Sequence, residues 1–135
     1  MKNTTFRTLA LLFVLFMSFN DSFSQQINPK IQEVFGDKTQ ELVVNDHNRL
    51  DFLTDIIENR ITLVEMPVHE KENYTKLSAV PLLDKYNSAL KRDAVFDPNN
   101  FNPLKYSLKF SSTVTEVYRI DNTNYVIIIK PQSFK

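Results

Sequence analysis

The chain's pattern predicts an α+β fold, with short N-terminal helices packed on a C-terminal antiparallel sheet, a meander or hairpin. Three observations carry that prediction. Apolar residues fall at helical spacing between residues 27 and 59, residues 104–110 alternate apolar and polar, and residues 125–129 read YVIII. Composition agrees with one globular domain: of 135 residues 42% are hydrophobic and 24% charged, with 1 Gly and 6 Pro. No Cys is present, which removes disulfides, thiol nucleophiles and Cys-ligated metals. A single Gly leaves no phosphate loop or dinucleotide fingerprint, so no cofactor is expected.

Residues 1–24 read as a cleaved secretory signal peptide. Lys2 and Arg7 form the positive start, residues 9–19 (LALLFVLFMSF) the apolar core, and Ser22-Phe23-Ser24 a small-x-small cleavage site before Gln25-Gln26. The core is too short to cross a hydrocarbon layer of about 30 Å, which takes roughly 20 helical residues. Residues 25–135 then form a single domain with 14 basic and 15 acidic residues. That balance predicts neither a nucleic-acid partner nor direct membrane insertion after signal removal.

Asn28-Pro29 reads as an N-cap followed by proline at the first helical position, with Ile31, Val34 and Phe35 at helical spacing and Gly36 as a left-handed stop. Residues 39–44 (TQELVV) fit helix or strand, with helix favoured. Asp46 starts the clearest helix, striped by Leu50, Leu53, Ile56 and Ile57 and closed by Asn59. Residues 61–66 read as a strand stopped by Pro67, residues 69–76 as a polar loop, and Ser78 as the cap of a short helix through Tyr86. Residues 104–110 are expected as a strand with Lys105, Ser107 and Lys109 on its wet face. Residues 114–120 and 125–129 follow as a hairpin about the turn 121–124. The last strand is apolar on both faces, which predicts helices over one and a second cover, the 96–106 loop or a partner, over the other.

Four constellations could carry chemistry. His69-Glu70-Lys71-Glu72-Asn73 begins like a zinc-protease motif but has Asn73 where the second His must stand. His47, Asp51 and Asp55 share a helix face, where the helix dipole accounts for the acids without a metal. Residues 96–106 (FDPNNFNPLKY) offer oxygen ligands without EF-hand spacing, and Asx turns explain them. Five tyrosines could line a groove, although strand periodicity puts Tyr106, Tyr118 and Tyr125 in the core. Residues 33–37 (EVFGD), the helix HNRLDFLTDIIENRI, DPNNFNPLKY and YRIDNTNYVIIIKPQ together resemble small exported proteins of the Bacteroidota. That resemblance implies envelope localisation and assigns no catalytic residue.

The expected function is accordingly an exported, non-enzymatic envelope or periplasmic domain, an accessory or interaction subunit of a larger envelope complex. A small peptide- or glycan-binding protein is the alternative, with Phe96, Asp97, Asn99, Phe101, Asn102 and Tyr106 as its binding residues. A minor hydrolase stands third. No catalytic or metal residue is assigned.

Overall fold

The computed structural model describes residues 26–67, 70 and 73–133. The signal segment expected over 1–24 lies outside them, as do His69, Lys71 and Glu72 of the protease-like motif. The α+β architecture is as expected, with helices N-terminal to a four-stranded sheet. Helix α1 is Pro29–Phe35. The Asn28 side chain accepts from the Lys30 amide at 3.0 Å, and Pro29 presets the first turn. Gly36, at φ 50° and ψ −128°, stops α1 in a backbone region that only glycine enters freely. The 39–44 ambiguity resolves to helix α2, Thr39–Asn45. Asp46 breaks the chain and caps α3, His47–Asp55, by accepting from the Arg49 amide at 3.1 Å. The helix then widens into one π-turn, Ile56–Arg60, which delivers Arg60 into the interior.

The sheet consists of β1 (Ile61–Glu65), β2 (Thr75–Lys76), β3 (Glu116–Arg119) and β4 (Tyr125–Ile129), in the order β1-β4-β3-β2. β1, β4 and β3 are antiparallel neighbours, and β2 joins the β3 edge in parallel. β2 lies inside what reads as a polar loop, because two exposed residues carry no periodicity.

Two expected elements are corrected. Ser78 caps no helix through Tyr86: residues Leu77–Ala79 form one 3-10 turn, and Ser78 bonds Asp121 instead. Residues 104–110 are not a sheet strand. Pro103 starts a 3-10 turn, Pro103–Lys105, followed by a single bridge that pairs Tyr106 with Leu82 through Leu83 N to Lys105 O at 2.7 Å and Ser107 N to Pro81 O at 2.9 Å. Beyond it the amides of Leu108 and Phe110 bond back two residues, to Tyr106 and Leu108, which coils the chain tightly.

That irregular segment is the middle layer of the fold. Toward the helices it contributes Leu83, Tyr86, Leu90 and Leu104, which pack with Ile31, Phe35, Leu53 and Ile56. Toward the sheet it contributes Leu77, Val80, Phe101, Tyr106 and Leu108, which pack on Tyr118, Ile127 and Ile129. Ile61 and Phe110 belong to both clusters. The helices therefore do not lie directly on the Ile127 face as expected; the 77–110 segment fills the space between. On the second face the register aligns Thr62 and Val117 with Ile128, and Val64 and Arg119 with Val126. Val126 is fully buried there and Ile128 partly so.

Candidate functional site

The expected binding loop, 96–106, turns most of its chemistry inward. Phe101, Asn102 and Tyr106 are 4%, 2% and 3% exposed. Phe101 stacks on Tyr106 with centroids 5.8 Å apart, and Phe96 meets both Phe101 at 5.4 Å and Tyr125 at 5.2 Å. Burial, with the nearby Asp93 charge, pushes the Tyr106 phenol up. Asn102 caps the Pro103 turn by accepting from the Leu104 amide at 3.1 Å. Its amide donates to the Lys30 carbonyl and to Glu33 Oε2, both at 2.8 Å. Lys105, expected on a wet face, is 4% exposed and bonds Asp93 at 2.5 Å and Glu33 at 3.4 Å. Burial alone would lower its pKa; these two carboxylates outweigh burial and raise it. A ligand approaching this loop meets Phe96, Asp97 and Asn99, the members left at the surface. Asp97 is itself a turn residue, accepting from the Asn99 amide at 2.9 Å and the Asn100 side chain at 2.5 Å, which lowers its pKa.

The other candidates separate as well. Among the described residues, no three His, Asp or Glu side chains stand where they could hold a metal ion, His47, Asp51 and Asp55 included. Ser78 and Asp121 are hydrogen-bonded, but His47 bonds neither of them.

A cleft that periodicity did not reveal lies between the helices and Tyr86. Its volume is about 320 Å³, floored by Phe35, Leu42 and Tyr86 and rimmed by Lys38, Glu41, Asn45, Asp46 and Arg49. The Arg49 guanidinium lies over both rings, 5.4 Å from the Phe35 centroid and 5.1 Å from that of Tyr86. Arg49 Nη2 donates to the Tyr86 hydroxyl at 2.6 Å, and Lys85 Nζ sits 4.6 Å from the centre of the same ring. Lys85 foremost, and then Arg49, hold the Tyr86 phenol below its ordinary range despite burial. Lys38 and Glu41 neutralise each other at 3.3 Å. Among the described residues neither Arg49 nor Lys85 has a carboxylate within ion-pair reach. The result is an apolar floor with rim charges of both signs, on which Arg49 is the cation without an ion-pair partner among the described residues. Spacing along the chain gave no hint of it: Arg49 stands off the apolar stripe of its helix, and Tyr86 lies 37 residues away.

No protein family, curated protein or solved structure matches the chain.

Proposed function

We propose that the chain is an exported, non-enzymatic interaction domain, an accessory subunit of an envelope complex in the periplasm or at the outer membrane. The observation that carries the interaction reading is Arg49, stacked over Phe35 and Tyr86 beside Lys85 without a carboxylate partner among the described residues. Aromatic and Arg side chains around a pocket are the residues that dominate binding energy at protein interfaces. The acids, by contrast, are largely spent within the fold. Asp46, Asp97 and Asp121 hold turns and caps, and Glu33 and Asp93 pair with Lys105. Support for export rests on the three-part pattern of residues 1–24. The partner that fits is a protein segment presenting a carboxylate next to an apolar side chain.

The test expresses the full chain with a C-terminal tag and recovers it from the cell envelope. Mass spectrometry is expected to find Gln25 at the N-terminus, and a stoichiometric envelope protein is expected to co-purify. Arg49→Gln should still fold, with a modestly lower melting temperature from loss of the Tyr86 bond, and lose the partner. Retention of residues 1–24 would overturn export. A partner held equally by the Arg49→Gln variant would overturn the cleft as the contact.

A further inference from the structure

A second cleft, independent of the first, is built around an electrostatic conflict. Lys76 ends β2 and Arg119 ends β3, and the parallel register sets them directly opposite each other. Like charges facing across neighbouring strands repel. An edge lysine protects a sheet from pairing with other chains, which accounts for Lys76 on β2. It does not account for Arg119, which sits on an inner strand. Arg119 is half-buried, its Nε is sealed from solvent without a hydrogen-bond partner, and it makes no ion pair with a described residue. A buried donor left unpaired is costly, and more so on a charged group.

The two cations share a cleft of about 420 Å³ with Ile120 and the turn residues 121–124. That volume lies in the range of small-molecule sites, about 300–1,000 Å³. Asp121, the acid in its wall, is held by the Ser78 amide at 2.9 Å and the Ser78 hydroxyl at 2.8 Å and stays charged, offsetting part of the Lys76 charge and none of the unpaired Arg119 donor. The side-chain amides of Asn122 and Asn124 make no hydrogen bond to a described residue. Asn122 reaches its position through a left-handed backbone, φ 57°, which asparagine tolerates better than most residues. Ile120 is the one apolar side chain in the lining, so an apolar ligand body gains little there.

We propose that this cleft binds a small hydroxylated acid, a sugar acid or sugar phosphate. Its oxyanion pairs with Arg119 and Lys76, and the Asn122 and Asn124 amides bond its hydroxyls. Arginine presents a fork that matches carboxylate and phosphate oxygens, and an anion there removes the repulsion between the two cations.

The experiment follows backbone amide resonances of the full chain while galacturonate, glucose 6-phosphate, galactose or inorganic phosphate is added. Saturable shifts over residues 119–124 are expected with at least one acid. Galacturonate alone would assign the carboxylate and glucose 6-phosphate alone the phosphate. Arg119→Gln should weaken binding at least tenfold. Lys76→Gln, at an exposed edge position that folding tolerates, should weaken it several-fold. The proposal is overturned if neither acid saturates, if galactose binds as well as the acids, or if inorganic phosphate matches the sugar phosphate. Binding that is unchanged in the Lys76→Gln variant would overturn it too.

Discussion

The β3–β4 hairpin and the 77–110 segment both lie in the core, yet they satisfy their backbones in opposite ways. The hairpin does so by ladder: β4 is bonded on both sides, to β1 and β3, and Ile120 N to Tyr125 O at 3.0 Å closes the turn. The 77–110 segment has almost no ladder. Its buried carbonyls accept from long side chains instead. Arg92 donates to the carbonyls of Leu77 and Val80, and Arg60 to that of Phe110. Asn102 and Asn87 do the same for the carbonyls of Lys30 and Glu33 on α1. Buried polar groups must be paired somewhere. Where strand geometry is missing, Arg and Asn supply the donors, and the fold depends on individual polar side chains.

The contrast is open to test at three strengths. The largest effect is expected in the hairpin, where truncating fully buried Ile127 to Ala should lower unfolding free energy by about 2–5 kcal/mol. Urea denaturation measures it; a loss below that range would mean the inner face repacks easily. The middle layer should instead be sensitive to polarity at constant size. Asn102→Leu removes three hydrogen bonds in a nearly isosteric change and should cost about 1–3 kcal/mol, mostly through the unpaired Leu104 amide. A neutral result would show that water replaces the amide.

The smallest effect concerns Asp121 and follows pH. Burial raises its pKa, but the Ser78 bonds outweigh burial and hold it below 3.8. A carboxylate depressed on folding contributes stability above its unfolded value and loses it as pH falls through the lower folded value. Ser78→Ala should therefore be less stable than the wild type at neutral pH, with the gap narrowing below pH 3.8. Paired thermal melts at neutral and acid pH measure this, and a gap independent of pH would assign the loss to packing.

Periodicity made the ordered parts legible. The Leu50–Leu53–Ile56 stripe, the Asn28-Pro29 cap, the Gly36 stop and the 121–124 turn are all where spacing and turn chemistry place them. Lys105 shows why the middle layer was not. An alternating pattern assumes that a lysine faces water, and here two carboxylates from distant segments draw it inside. One local signal was available: Asn102-Pro103 repeats the Asn28-Pro29 signature, and both asparagines cap a turn in the same way. The clefts were illegible for a different reason. Arg49 with Tyr86, and Lys76 with Arg119, are tertiary pairs that no spacing along the chain encodes.

The ties made by Arg60 and Asn102 also set the order in which the protein can assemble. Arg60 reaches the Lys130 carbonyl across 70 residues, and Asn102 reaches Glu33 across 69. Contacts so distant in sequence are reached only after a large loss of chain freedom, which slows folding. The helices emerge first from the ribosome but have no middle layer to pack against until residues 77–110 follow, and no anchor for Arg60 until residue 130 does. An incomplete chain thus has little to fold around: helices, middle layer and sheet can close on one another only once residue 130 has been made.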